Sequence, residues 1–446
     1  MIYQHITELI GNTPLLKIDP AVHGLKNIDL YAKLEFYNPF GSVKDRIAWA
    51  MIKDDLKQII DKKQTILESS SGNTAKALQA IASIYGIPFK TITNRIKVPE
   101  VKGILQVMGA EVEQLPGKSE CPDPTDPNDP LTYIDNLVAG SKDAYFYTRQ
   151  YTNQKNIKVH YETTGREIVE DLSKVDYFIG GLGTTGSTRG TAMYIKEKNP
   201  DLQNIGVVSS SEDYIPGIRT INEMWEVGLF DKEFYISIEE VSSKRAIDGM
   251  LSLIRQSGIL AGPTSGASYE GALQYLKTVD ASLTEKKTAV FIVCDRFEYY
   301  ISYIKERYPE IFGEKSKTDS LSNITPEQCL EAPAVKIENV QTWIVEQQPI
   351  MIDIRSNLAF KTAHIKGSIN IPQEHLSKIV EGNMPFCEGQ TVLLICPVGE
   401  QSKKFAYYLK TKGYHSHSLD GGIVAWRDAG YTLEKVKMTG GMHNAN

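Results

Sequence analysis

The sequence predicts an α/β protein in two parts, a large unit of parallel sheet and helix followed by a smaller unit of the same class. Three observations predict it. From Ile28 to about Asp295, short apolar β-branched runs alternate with amphipathic helical stretches, with Gly-rich turns between them. A polar stretch rich in Ser and Lys, GEKSKTDSLSNITPEQ at 313–328, then breaks the pattern. The alternation resumes near Val335, with strands expected at 350–355 and 391–397.

Each element follows from its residues. TILESSSG reads as a strand and turn, and NTAKALQAIASIYG after it as a helix; VDYFIGGLG and STRGTAMYIKEK repeat the unit. KTAVFIVCD at 287–295 is a late buried strand, and FEYYISYIKERYPEIF a closing helix. These boundaries give a first domain at 1–312, a linker at 313–333, a second domain at 334–436 and a disordered tail at 437–446. CPDPTDPNDP at 121–130 must be a loop; an extended surface insertion accounts for it, with a gate or a cation site as the alternatives. No internal repeat is present.

Composition narrows the function classes. The chain of 446 residues has 41% hydrophobic and 23% charged residues, ordinary for a globular protein. A net charge of -6 without basic runs argues against a nucleic-acid partner. No apolar stretch is long enough to span a membrane, and the N-terminus lacks the pattern of a signal peptide. The five cysteines, 121, 294, 329, 387 and 396, are scattered without a CxxC pair, which suits free thiols in a reducing cytoplasm and no metal site.

Three motifs carry chemistry. NPFGSVKDR (38–46) sets Lys44 just after a Gly-Ser turn at a helix start, where a turn can hold its amine against a cofactor; a solvated surface lysine is the alternative. GGLGTTGST (180–188) follows a strand and opens a helix, so its backbone N–H groups and hydroxyls can cup a phosphate; a plain strand-to-helix turn is the alternative. It is neither a dinucleotide fingerprint nor a Walker loop. SSSGNT (69–74) stacks hydroxyls and amides at another helix start, as a carboxylate cradle or as an ordinary capping turn.

Together with IGNTPL (10–15), MGAEV (108–112), HYETTGREI (160–168) and ILAGPTSGAS (259–268), these motifs resemble, in this order, the cysteine synthase and cystathionine β-synthase family, fold type II of the pyridoxal-phosphate enzymes. The resemblance covers about residues 3–305 and implies a two-lobed parallel α/β fold with pyridoxal 5′-phosphate as cofactor. It implies that Lys44 is the Schiff-base lysine and that Gly183, Thr184, Thr185, Gly186 and Ser187 hold the phosphate. It implies also that Asn73 meets the phenolic oxygen and Thr264 the pyridine nitrogen, and that Ser70, Ser71, Gly72, Thr74 and Gln150 bind the substrate carboxylate. A neutral hydroxyl at Thr264 leaves the ring nitrogen unprotonated and favours β-elimination over transamination. Lys44, displaced by the substrate amine, takes the α-proton; the β-substituent leaves to give an aminoacrylate, and a nucleophile adds. Ala75 in place of the usual glycine, and Arg149-Gln150-Tyr151 in place of a Gln-Phe context, are departures that reshape the pocket.

YIPGIRTINEM (214–224) lies where the family lines the leaving-group side. Its Arg219 and Asn222 resemble the O-phosphoserine-using branch more than the O-acetylserine enzymes, since a guanidinium fork matches a phosphate dianion; an arginine on a mobile loop facing solvent is the alternative. Residues 350–372, 393–402 and 419–431 resemble the rhodanese family over about 334–436. There Cys396 aligns with the persulfide-carrying cysteine, its loop CPVGEQ expected to wrap N–H groups around the sulfur; a buried structural cysteine is the alternative. Gln401 stands where the family often has arginine, and His364 is a structural turn residue.

The expected function is β-replacement on an activated L-serine, O-phosphoserine before O-acetylserine, giving L-cysteine, with sulfur carried or relayed as a Cys396 persulfide. The expected partners are a small amino-acid substrate and a sulfur donor or carrier protein, and the expected assembly is a cytoplasmic homodimer. One alternative is an amine nucleophile, as in diaminopropionate-type synthases, against which the second domain argues. Another is a C-terminal domain that only senses or interacts, which Gln401 favours.

Overall fold

The computed structural model describes residues 2–93, 98–115, 130–141, 143–211, 213–313, 321, 324–382, 386–387 and 389–435. The Pro- and Asp-rich stretch at 121–129 with Cys121, much of the expected linker at 314–320 and the tail at 437–446 lie outside these residues. The chain divides into two compact units, Met1–Glu314 and Lys315–Asn446.

Fifteen strands are formed by the described residues: β1 Leu15–Lys17, β2 Ile28–Leu34, β3 Thr65–Glu68, β4 Phe89–Thr93, β5 Glu111–Gln114, β6 Tyr145–Tyr147, β7 Tyr177–Gly181, β8 Gln203–Ser209, β9 Ser237–Val241, β10 Lys287–Val293, β11 Ala334–Val335, β12 Ile350–Asp353, β13 Ile369–Asn370, β14 Thr391–Ile395 and β15 His415–Leu419. In the first unit they make a six-stranded sheet, β1-β2-β10-β7-β8-β9, and a four-stranded sheet, β5-β4-β3-β6. All pairings are parallel except that of β1 with β2. The apolar β-branched runs read from the sequence become central strands: Leu30, Ala32, Phe178, Ile179, Val290 and Phe291 are fully covered. Parallel strands buried on both faces need such continuous apolar runs.

Six helices carry or brace the functional residues: α1 Lys44–Ile52, α2 Asn73–Ile84, α3 Lys155–His160, α4 Gly186–Lys198, α5 Pro263–Asp280 and α6 Glu400–Thr411. α1 is fastened from below by a buried ionic network. Arg46 meets Glu35 at 2.7 Å and Glu167 at 2.6 Å, and Lys33 meets Glu167 at 2.8 Å. Thr13, from IGNTPL, donates to Glu35 at 2.7 Å. Burial disfavours the Glu167 carboxylate, but Arg46 and Lys33 outweigh it and hold its pKa at about 2. The network ties the N-terminal motif, β2 and the helix bearing Lys44 into one rigid block.

The second unit is a five-stranded sheet, β11-β15-β14-β12-β13, parallel throughout. Leu321, Ile324 and Ala332, from the stretch read as linker, pack into its core. The single closing helix expected at FEYYISYIKERYPEIF is broken into a short turn at Phe297–Tyr300, a helix at Ile301–Arg307 and a turn at Pro309–Phe312. Pro309 cannot continue a helix, and Tyr300 is drawn inward to donate to Asp295.

Candidate active site

The site residues of the first unit gather at the carboxyl ends of parallel strands in both sheets, the usual place for ligands in open α/β folds. β3 leads through Glu68 into the SSSGNT turn and α2. β7 leads into GLGTTG and α4, and β10 into Cys294 and Asp295.

The GLGTTG turn works because one residue adopts a conformation its type avoids. Thr185 sits at φ 64 and ψ -6, left-handed, at the N-cap of α4. A β-branched residue there is strained, and such strain concentrates at functional sites. Followed by helical residues, a left-handed residue can turn successive N–H groups toward one point, the backbone geometry of an anion nest at a helix N-terminus. Thr185 is 1% exposed, and its hydroxyl has no partner among the described residues. A Cβ at Gly186 would run into the Asn156 side chain, so glycine is required.

The SSSGNT turn, the expected carboxylate cradle, is built on Glu68. Its buried side chain accepts from Ser69 N–H at 2.8 Å, from the Thr148 hydroxyl and from Gln150 N–H at 3.0 Å. Burial pushes its pKa up to about 7, with the three donors opposing. Gln150 is pinned further: its Oε1 accepts from the Thr74 hydroxyl at 2.8 Å and its Nε2 donates to Ser69 O at 2.9 Å. Ser70 Oγ accepts from Gly72 N–H and Ala75 N–H, both at 3.3 Å, which fixes the turn. Asn156, on α3, donates from Nδ2 to Gln150 O at 2.8 Å and to Thr184 Oγ1 at 3.0 Å. One hydrogen-bonded chain therefore runs from cradle to cup.

Lys44 opens α1 between these features. Burial lowers the pKa of its amine, against the opposing fields of Cys294 and Asp295. Asn73 Nδ2 donates to Asp295 Oδ2 at 2.6 Å and bridges the two lobes of the unit. Thr264, 5% exposed on α5, donates to Pro216 O in the YIPGIR segment. Arg219 is half-buried, its N–H bonded to Leu182 O at 3.0 Å beside the cup and its guanidinium 5.0 Å from the ring centre of Tyr151. Ser71, Gly72, Gly183 and Ser187 line the same turns, partly accessible.

The donor set fits pyridoxal phosphate: an anion cup with an unsatisfied buried hydroxyl, a desolvated lysine, and an amide and a hydroxyl among the residues around it. Residues 6–295 match the family of pyridoxal-phosphate dependent enzymes.

The chain belongs to that family.

Pyridoxal 5′-phosphate is accordingly its cofactor, and residues 337–429 match the rhodanese-like domain. Among pyridoxal-phosphate enzymes, the cysteine synthase of Aquifex aeolicus is 31% identical over 303 residues, 67% of this chain and 90% of that one. A hydrogen sulfide-producing enzyme of Fusobacterium nucleatum superposes with a TM-score of 0.59 at 32% identity, covering 68% of this chain and 99% of that one. An O-acetylserine dependent cystathionine beta-synthase of Helicobacter pylori gives 0.58 at 27% identity, over 68% and 98%. This family member is thus a cysteine synthase-like β-replacement enzyme carrying a rhodanese-like domain.

In the rhodanese-like domain, Cys396 is 1% exposed at the end of β14. Its Sγ accepts from Gly399 N–H at 3.1 Å and from the Ser402 hydroxyl at 3.2 Å, and Ser402 Oγ lies 2.8 Å from Ser418 Oγ. Gln401 points away and accepts from Gln373 at 3.2 Å; Lys403 pairs with Asp420 at 2.8 Å. His364 donates to Phe360 O at 2.9 Å and stacks on its ring, a turn-fixing role. No helix of the described residues is long and apolar enough to cross a membrane.

Glu68, Asn156, Asp295 and Ser402 were not singled out from the sequence. Glu68 and Asp295 carried a signal, an acidic residue closing a buried apolar strand. Asn156 carried none, because its partners lie 6 and 28 residues away.

Proposed function

We propose that the first domain, 1–312, replaces the β-substituent of an activated L-serine to give L-cysteine, with O-phosphoserine preferred over O-acetylserine, and that the domain at 334–436 carries or relays the sulfur as a Cys396 persulfide. The observation that carries this reading is the continuous chain from Thr74 through Gln150 and Asn156 to Thr184, which holds a carboxylate site and a phosphate site in one register.

Bound pyridoxal phosphate supplies an electron sink for the pair released when the substrate Cα–H bond breaks. Gly183, Thr184, Thr185, Gly186 and Ser187 hold its phosphate by backbone N–H and hydroxyl donors. The Asn73 amide serves the phenolic oxygen and the Thr264 hydroxyl, turning from Pro216 O, serves the pyridine nitrogen. Ser70, Ser71, Gly72, Thr74 and Gln150 hold the substrate carboxylate and so orient Cα toward Lys44. Lys44 anchors the cofactor and then, as a free amine, accepts the Cα proton at Nζ; its lowered pKa keeps more of it in the basic form near neutrality. Arg219 pairs with the departing phosphate, its guanidinium plane braced on Tyr151.

A second reading for the C-terminal domain, an interaction or sensing module, draws support from Gln401, which is uncharged and accepts from Gln373, and from the pairing of Lys403 with Asp420. Product analysis tests the β-replacement reading. O-phosphoserine with sulfide should yield cysteine as the main product; a 2,3-diamino acid formed preferentially from amine nucleophiles would overturn the sulfhydrylase reading.

A further inference from the structure

Lys76 lies three residues after Asn73 on α2, so both side chains leave the same face of the helix. It is 6% exposed, and its Nζ has no hydrogen-bond partner among the described residues. Its Nζ rests 3.7 Å from the ring centre of Tyr299; burial lowers the pKa of the amine, and the fields of Asp45 and then Asp295 oppose that. A buried, unpaired ammonium is costly, so its placement calls for a nearby negative charge that depends on it.

Two buried carboxylates supply that field, Asp45 and then Asp295, and Asp295 is the one that holds Asn73. It is 1% exposed; one oxygen accepts from Asn73 at 2.6 Å and from the Tyr300 hydroxyl, while the other has no partner among the described residues. Burial drives its pKa up, and the Tyr300 and Asn73 donors, then Lys76 and Lys44, draw it down. The groups facing Asp295 are Asn73 and Lys76 on α2, Lys44 on α1, and Cys294, Tyr299 and Tyr300 after β10. Asp45 on α1, itself pushed up to about 7 by burial, shares the field of Lys76. Once Lys44 is committed to the cofactor, Lys76 is the remaining cation among the described residues that faces Asp295.

We propose that Lys76 is a positioning residue: its ammonium is the standing counter-charge that keeps Asp295 a carboxylate, and Asp295 in turn holds the Asn73 amide in place for the cofactor's oxygen. The inference rests on the reading that Asn73 meets the cofactor. It adds a device to that reading, in which Lys76 acts on the cofactor's oxygen through Asp295 and Asn73.

The test uses the full-length holoenzyme and reads two quantities besides turnover: the pH midpoint of the cofactor's visible absorbance change, and the cofactor dissociation constant. Lys76→Met should move the midpoint up by about one pH unit or more, since an acid that loses a neighbouring cation binds its proton more tightly. Cofactor binding should weaken about tenfold as the charge-assisted hold on Asn73 is lost. Lys76→Arg should keep both values near wild type, and Lys76→Gln, the more conservative neutral change, should follow Lys76→Met. In an Asp295→Asn background the midpoint should vanish and Lys76→Met should add nothing. An unchanged midpoint in Lys76→Met and Lys76→Gln, no midpoint in either wild type or variant, or equal effects of Lys76→Met with and without Asp295 would each overturn the proposal. Asn73→Ala separates the two levels. If it leaves cofactor affinity untouched, the Asn73 reading falls and the proposal with it; if it weakens affinity while Lys76→Met does not, the proposal alone falls.

Discussion

The cup at GLGTTG and the loop around Cys396 are the same backbone device in two units of one chain. Each follows a buried parallel strand, each has a left-handed residue at a helix N-cap, and each opens a helix of twelve or thirteen residues: Thr185 at φ 64 before α4 and Gly399 at φ 91 before α6. They differ in what their donors do. The Thr185 hydroxyl is buried and unspent among the described residues, whereas the Gly399 N–H and the Ser402 hydroxyl are already given to a sulfur that belongs to the chain. The first is shaped for an anion that arrives from outside; the second serves an atom covalently attached. The left-handed residue differs for the same reason. A Cβ at Gly399 would meet Gly421 N at 2.9 Å, so the second loop has no room for a side chain, while the first keeps a threonine for its extra donor.

The comparison breaks most directly at Lys44, which has a counterpart only in function. Lys44→Ala should lower β-replacement about a thousandfold or more, the scale of a lost general base, while both units keep their melting transitions. Borohydride reduction followed by peptide mapping should find the cofactor on Lys44 in wild type and on no lysine in the variant. A cofactor trapped on Lys76 would instead reassign the anchor.

Arg219 tests whether a second anion belongs beside the first cup. Arg219→Ala should lower kcat/KM for O-phosphoserine about 30-fold or more, the cost of stranding one partner of a charge-assisted pair. O-acetylserine should be nearly unaffected, and Arg219→Lys should recover part of the loss because the fork is gone. Equal losses with both substrates would make Arg219 a support of the loop.

The smallest effects compare the two left-handed residues themselves. Gly399→Ala should destabilise the second unit by about 1–2 kcal/mol, from backbone strain and contact with Gly421, seen as a lower melting temperature for that transition. Thr185→Gly should raise the stability of the first unit by up to about 1 kcal/mol while weakening cofactor binding severalfold, as strain is relieved but a donor is lost. Weaker binding without any gain in stability would mean that Thr185 is not strained.

Much of this was legible in the sequence because the chemistry is local. Lys44, the GLGTTG turn, SSSGNT and the Cys396 loop each lie within a few residues at a strand-to-helix junction, where small residues and hydroxyls leave a recognisable pattern. The supports were not legible, because they act across the fold: Arg46 reaches Glu167 over 121 residues, and Asn73 reaches Asp295 over 222. No window of sequence contains such a pair. The closing helix was misread for a related reason. Its apolar period is helical, but the inward pull of Asp295 on Tyr300 and the stop at Pro309 divide it, and only the proline was visible in advance.

The central claim is that one chain both activates serine and supplies its sulfur. Cys396 should be loaded with a ³⁴S-labelled sulfane sulfur from an organic persulfide and freed of excess donor. O-phosphoserine and a dithiol, which releases the sulfane sulfur as sulfide, should then be added for a single turnover. Mass spectrometry should find the label leaving Cys396 and appearing in L-cysteine, with neither event in Cys396→Ser. Label released from Cys396 but absent from L-cysteine, or loading at Cys387 in its place, would contradict the account and leave the second unit as a module for interaction alone.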